Sequence, residues 1–81
     1  MELLEIKSTV TSVFYRQPSP SEPPFVEVGS KVTPDTTVCL LEVMKCFRSV
    51  PAGVSGTVEE ILVESGDVVN EDTIMFRVRP E

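Results

Sequence analysis

The sequence contains no histidine and only two cysteines, Cys39 and Cys46. Without histidine, and with no Cys–Cys spacing typical of a zinc site, we expect no metal centre. The sequence also has no G-x-S-x-G, P-loop or G-x-G-x-x-G motif. Lys45 and Cys46 are the candidate nucleophiles, but neither has a nearby base that would activate it. We therefore predict a chain without catalytic residues, which is not an enzyme by itself.

Positive charge is also scarce, since 7 Lys and Arg face 13 Asp and Glu, for a net charge of −6. This balance argues against nucleic-acid partners and against anionic membrane surfaces, because both require basic residues. No apolar run approaches the length of a membrane span. Residues 1–5 do not resemble a signal peptide, so we expect a cytoplasmic location with reduced thiols.

Short β-type segments separated by turn residues make up most of the chain. Alternation of apolar and polar residues is the main signal; in the last segment it places Ile74, Phe76 and Val78 on one face, opposite Met75 and Arg77. No segment has sustained helical periodicity, so we predict an all-β fold in one domain spanning residues 1–81. The predicted strands are residues 4–7, 13–15, 25–26, 37–41, 47–50, 54–63 and 74–78.

Two of these segments predict a tight hairpin with Met44 and Lys45 at its tip. Pairing centred on this tip places Cys39 opposite a residue near Ser49 or Val50, so we predict a buried Cys39 and no disulfide. The ε-amine at such a tip can accept an acyl group from another enzyme. The same pattern is typical of a solvated lysine without function, and the spacing alone does not separate the two interpretations.

An internal repeat divides the chain into two similar halves. Residues 26–36 resemble residues 63–73 at an offset of 37, whereas residues 11–14 match residues 55–58 at an offset of 44. The difference of seven residues indicates an insertion in the first half. It coincides with residues 16–24, which hold four of the seven prolines and are predicted to form a surface loop. We predict two β halves packed as a sandwich and joined by the hairpin.

Several motifs resemble the biotinyl domain of biotin carboxyl carrier proteins of acetyl-CoA carboxylase, over nearly the whole chain. Residues 42–46 resemble the Glu-Ala-Met-Lys-Met of that family, and residues 14–20 resemble its Phe-Tyr-Arg-x-Pro-Ser-Pro segment. Residues 24–29, 55–58 and 61–66 match its Pro-Phe-Val-Glu-Val-Gly, Ser-Gly-Thr-Val and Ile-Leu-Val-Glu-x-Gly segments.

The sequence departs from the family pattern at three places. Val43 replaces the alanine and Cys46 replaces the second methionine around the lysine. Residues 8–12 lack the proline, methionine and glycine of the family's Ser-Pro-Met-x-Gly.

The resemblance implies a flattened β-barrel or sandwich of two four-stranded sheets, a barrel-sandwich hybrid with a pseudo-twofold repeat. It implies that Lys45 is joined to biotin by an amide bond, with Glu42, Val43, Met44 and Cys46 as the context that a biotin protein ligase recognises. It also implies a protruding thumb at about residues 16–24 that shields the biotin. The residues assigned to the thumb and its base are Tyr15, Arg16, Pro18, Ser19 and Pro20.

The implied function is that of a carrier, with Lys45 as a tether rather than a catalyst. Biotin carboxylase would carboxylate the biotin, and a carboxyltransferase would pass the carboxyl group to acetyl-CoA, giving malonyl-CoA for fatty-acid synthesis. Two alternatives stay open. One is a lipoyl carrier domain, which typically has Asp-Lys-Ala at the tip, and the other is an unmodified homologue that serves as a binding or assembly module.

Overall fold

A computed structural model describes residues 2–81, which form eight β-strands and no helix. Accordingly, these residues offer no helix with the length and apolar character needed to cross a bilayer. The strands are β1 (Leu4–Lys7), β2 (Ser12–Tyr15), β3 (Lys31–Val32), β4 (Thr37–Val43), β5 (Cys46–Pro51), β6 (Gly56–Ile61), β7 (Val68–Val69) and β8 (Ile74–Pro80).

The strands form two four-stranded antiparallel sheets, in the orders β1-β8-β6-β3 and β5-β4-β2-β7. Their inner faces enclose one apolar core, in which the rings of Phe14 and Phe76 lie 5.7 Å apart and join the two sheets. The predicted all-β sandwich of two four-stranded sheets is confirmed. The buried core residues are Ile6, Phe14, Val26, Val32, Val38, Cys39, Leu41, Ala52, Val58, Val69, Met75, Phe76 and Val78.

The internal repeat is visible in the strand order and in the turns. Exchanging β1–β4 with β5–β8 converts the order of one sheet into that of the other. The turn before β3 and the turn before β7 are closed by equivalent bonds: Glu27 N–H donates to Ser30 Oγ, and Glu64 N–H donates to Asp67 Oδ2. The shared spacing of 37 residues between these turns confirms the pseudo-twofold relation.

The predicted strand at residues 4–7 has the bounds found in the structure, whereas β2, β4, β5 and β8 extend one or two residues beyond the predicted ends. The two-residue strands β3 and β7 were not predicted, because each directly follows a turn and is too short to show alternation.

Two other strand predictions were too long. Phe25 and Val26 are not in a strand, although Val26 is buried, because Phe25 N–H donates to the carbonyl of Arg16 and closes the proline-rich loop. The predicted strand at residues 54–63 is shorter at both ends, since β6 spans Gly56–Ile61. Val26, Val54 and Val63 therefore pack in or against the core although they lie outside the strands.

Met75 was predicted to share a face with Arg77, but its side chain is fully buried, as is that of Phe76. The cause is a β-bulge, because Ile6 pairs with Phe76 while Lys7 pairs with Ile74. Met75 is the extra residue of β8 in this ladder, so the simple alternation of faces does not hold there.

Candidate functional site

The hairpin β4–β5 presents Lys45 at one end of the molecule. Val43 and Cys46 form the last cross-strand pair, which leaves Met44 and Lys45 as a two-residue loop. Both have positive φ angles, 51° and 68°, as a type I′ hairpin turn requires. The Met44 side chain is 92% exposed, and Lys45 is exposed as well. The predicted hairpin tip is therefore confirmed.

Three side chains meet on the outer face of the sheet just below this tip. Glu42 lies directly opposite Phe47 in the β4–β5 ladder. The Tyr15 hydroxyl donates a hydrogen bond of 3.1 Å to Glu42 Oε1, and the rings of Tyr15 and Phe47 lie 5.6 Å apart. Since Tyr15 ends β2 and leads into the proline-rich loop, this cluster fixes the base of that loop against the strand that leads to Lys45.

The cluster predicts the titration of Tyr15, which is the single tyrosine of the chain. The hydrogen bond to Glu42 raises the pKa of Tyr15 above its ordinary value of 10.0, with smaller contributions from desolvation and from the carboxylate charge. The hydrogen bond makes its full contribution to stability below about pH 10, the pKa of tyrosine in the unfolded chain. That contribution is lost as the pH rises through the higher pKa of Tyr15 in the folded domain.

Absorbance near 295 nm as a function of pH measures this pKa directly. We expect a value above 10 in the folded domain and a lower one in the Glu42→Leu variant, which removes both the hydrogen-bond acceptor and the charge. An identical titration of the two proteins would contradict the assigned contact.

The proline-rich loop, called the thumb below (residues 16–24), lies beside the outer face of the same sheet. The backbone N–H of Arg16 donates to Ser65 Oγ at 2.9 Å, and the Gln17 amide donates to the carbonyl of Ser19 at 3.0 Å. A groove of about 500 Å³ separates the thumb from the hairpin. This thumb groove is lined by Tyr15, Gln17, Pro18, Ser19, Pro20, Phe47, Ser65 and Gly66.

The two cysteines have opposite environments. Cys39 is fully buried and pairs across the ladder with Val50, as predicted, whereas Cys46 is exposed beside Lys45; both thiols are free. Burial raises the pKa of the Cys39 thiol to about 12, so its reactive thiolate is scarce at neutral pH.

This contrast predicts selective labelling. A thiol reagent such as dithionitrobenzoate at pH 8 should modify one cysteine per folded chain, and peptide mapping should identify it as Cys46. The second thiol should react only after denaturation. Equal labelling rates of Cys39 and Cys46 in the folded domain would contradict the structure.

The predicted site residues thus fall into two neighbouring groups. Glu42, Val43, Met44, Lys45 and Cys46 form the hairpin end, and the predicted thumb residues line the groove, except Arg16. Among residues 2–81, no group of three or more His, Cys, Asp or Glu side chains is placed to hold a metal ion.

The sequence interpretation did not include Phe47, Ser65 or Gly66 in the site. Phe47 could have been found, because alternation along β5 places it on the same side as its cross-strand neighbour Glu42. Ser65 and Gly66 are distant in sequence from both groups, and no local pattern indicates that they meet the thumb.

Comparison with known proteins places this geometry in a family. A family model described as "Biotin-requiring enzyme", of the biotin/lipoyl type, matches residues 4–78. The chain is 45% identical over 75 residues to biotin carboxyl carrier protein of acetyl-CoA carboxylase 2, chloroplastic, from Arabidopsis thaliana, covering 93% of this chain and 29% of that protein. It is 41% identical over 80 residues to biotin carboxyl carrier protein of acetyl-CoA carboxylase from Nostoc sp., covering 99% and 44%.

Structural comparison gives the same result. The chain matches the crystal structure of Kluyveromyces lactis urea carboxylase with a TM-score of 0.78 and 26% identity, over 98% of this chain and 6% of that one. The chain spans less than half the length of the two carrier-protein relatives named above. With the family model matched over nearly all of its residues, the chain belongs to the biotin/lipoyl family of the biotin-requiring enzymes.

Proposed function

We propose that residues 1–81 form a biotin carrier domain, with Lys45 as the attachment residue, which serves an acetyl-CoA carboxylase. The observation that supports this most directly is the exposed lysine in a two-residue turn of a domain of the biotin/lipoyl family. The names of the relatives support the choice of carboxylase. The runner-up functions are a lipoyl carrier and an unmodified binding module.

Lys45 is the best attachment candidate among the three lysines. Lys7 lies in β1 and forms an ion pair with Glu5 at 3.8 Å, and Lys31 lies in the two-residue strand β3. Lys45 alone belongs to a tight turn, so its ε-amine is presented at a reproducible point and a ligase pays little ordering entropy to dock there. The ligase would join the biotin carboxylate to ATP as biotinyl-AMP with release of pyrophosphate; Lys45 Nζ would then attack the acyl carbon, AMP would leave, and the amine would lose a proton as the amide forms.

We propose that the thumb groove receives the bicyclic end of the cofactor carried by Lys45. The rings of Tyr15 and Phe47 and the side chains of Pro18 and Pro20 line the groove, which is mainly apolar. Attached biotin would supply the atom that accepts the carboxyl group and later gives it up. The role of this domain is to tether the biotin through the flexible Lys45 side chain and to shield the biotin from water between the thumb and Phe47.

The catalytic steps are assigned to partner proteins. The sequence has no histidine that could act as a base beside Lys45, and Glu42, the acidic residue nearest to it in sequence, accepts a hydrogen bond from Tyr15. Biotin protein ligase would attach the cofactor, biotin carboxylase would load it, and a carboxyltransferase would unload it. The cytoplasmic location stays a prediction, because chloroplastic proteins are among the relatives.

A carboxylation assay tests the carrier role. The biotinylated domain is incubated with biotin carboxylase, MgATP and radioactive bicarbonate, and we expect acid-labile label on the domain. The unbiotinylated domain is the control and should stay unlabelled. Biotinylated domain that takes up no label while free biotin is carboxylated in a parallel reaction would contradict the proposal. Modification by a lipoate ligase instead would favour the lipoyl alternative.

A further inference from the structure

A second groove lies where the edges of the two sheets face each other. Strand β1 is the last strand of one sheet and β5 is the last strand of the other, so each has one side without a neighbouring strand. Between them is a groove of about 600 Å³, compared with about 500 Å³ for the thumb groove. We call it the edge groove; its lining includes Glu5, Ile6, Lys7, Leu41, Arg48 and Val50.

The free edge of β5 offers backbone groups at two positions beside this groove. Val43 and Cys46 flank the two-residue turn, so they form a hydrogen-bonded pair, and bonded and non-bonded pairs then alternate along the β4–β5 ladder. The N–H and C=O groups of Phe47 and Ser49 therefore point away from β4. Outside the strand ladders, no backbone hydrogen bond among residues 2–81 reaches either residue. These groups are free to pair with an added strand.

Arg48 lies between these two positions and forms no ion pair among residues 2–81. It is opposite the buried Leu41 in the ladder, so its side chain is on the groove side of β5. The carboxylate of the groove lining, Glu5, already lies 3.8 Å from the ammonium of Lys7 and 3.9 Å from the guanidinium of Arg77. The edge groove therefore carries a free positive charge in a chain with a net charge of −6, and it is complementary to a carboxylate.

The same arginine makes a second copy of this chain a poor partner for the edge. A register that pairs Phe47 with Ser49 of the other copy, and Ser49 with its Phe47, places the two Arg48 side chains opposite each other. Like charges in that position are destabilising, and they protect an exposed edge from self-association. An acidic residue opposite Arg48 reverses the sign of this interaction. The edge therefore favours a different chain with an acidic residue at that place.

We propose that the edge groove binds an extended acidic segment of a partner protein, which adds an antiparallel strand to β5. The backbone groups of Phe47 and Ser49 pair with the segment, and its acidic residue lies opposite Arg48 with the two Cα atoms about 4.5 Å apart. Alternation directs the residues two places before and after the acidic one to the same side, toward the buried Ile6 and Leu41.

The recognised pattern is therefore apolar-x-acidic-x-apolar. A small apolar carboxylate would neutralise Arg48 but would leave the backbone groups of Phe47 and Ser49 without partners, so the edge favours a peptide. The site is separate from the thumb groove and needs neither biotin nor a modified Lys45.

The test is an NMR titration of the ¹⁵N-labelled domain with the synthetic peptide Lys-Thr-Val-Thr-Glu-Thr-Val-Thr-Lys, blocked at both ends. We expect the amide signals of Phe47 and Ser49 to shift and their exchange with water to slow. A peptide with lysine in place of the glutamate should bind about tenfold more weakly. The Arg48→Glu variant should reverse this preference, and Arg48→Gln should bind the two peptides equally.

The matched control is Lys31→Glu, because Lys31 is an exposed cation on β3, an edge strand that does not line the groove. Its preference for the glutamate peptide should equal that of the original domain. Equal binding of the two peptides to the original domain, or no binding of either at millimolar concentration, would overturn the proposal. Displacement of the peptide by hexanoate at the same concentration would also overturn it, since the groove would then be a site for small anions.

Discussion

Replacing Lys45 by arginine is expected to abolish biotin attachment and leave the domain folded. Arginine retains the positive charge and the exposed position at the tip, but its guanidinium does not form the amide that an ε-amine forms. The side chain has no described hydrogen bond or ion pair, so the fold loses nothing with it. Intact mass spectrometry after incubation with ligase, biotin and ATP measures attachment, and thermal unfolding measures the fold.

The matched controls are Lys7→Arg and Lys31→Arg, which change the other two lysines. Both should accept biotin as the original domain does. Biotin on the Lys45→Arg variant would place the attachment site at one of these residues and refute the assignment.

Replacing Gly56 by alanine is expected to lower the free energy of unfolding by about 3 kcal/mol or more, which is a large part of the stability of a domain this small. Gly56 pairs with Val32 on one side and with Pro80 on the other. A Cβ atom at this position would overlap the carbonyl oxygen of Arg79 and lie 2.8 Å from Val78 Cγ1. The obstacle is the backbone of β8, which pairs with strands on both sides and has little room to move.

Gly66→Ala provides the comparison, since a Cβ there would meet no atom within 4 Å. Gly66 has a φ of 95°, so this variant should lose about 1 kcal/mol through backbone strain alone. Urea unfolding of both variants measures the difference. Equal stability losses would show that the close approach of β6 and β8 at Gly56 is not as described.

Local patterns were sufficient to predict the elements that surround Lys45. Alternation and turn residues predicted β1, β2, β4 and β5, and the hairpin followed from two β-type segments with nothing between them. The repeat offset of 37 was also visible in sequence, because equivalent turns need equivalent glycine and hydroxyl or carboxylate residues.

Features that depend on register were not predictable in this way. The bulge that buries Met75 arises from pairing between β1 and β8, which are distant in sequence. The same is true of the hydrogen bond between Tyr15 and Glu42, 27 residues apart, and of the contact of Ser65 with the thumb. A single sequence shows which face of a strand is apolar, but it does not show which residues of distant strands come into contact.

The assignment of Lys45 as an attachment site depended on the family resemblance and not on the spacing of residues around it. An exposed lysine at a hairpin tip has the same pattern whether or not it is modified, so geometry alone supports both interpretations.

The most direct test of the carrier function is the intact mass of the protein after incubation with biotin, ATP and a biotin protein ligase. We predict an increase equal to one biotinyl group, which peptide mapping assigns to the peptide that contains Lys45. An unchanged mass, in a tube where a known carrier domain is biotinylated, would contradict the assignment of this chain as a biotin carrier.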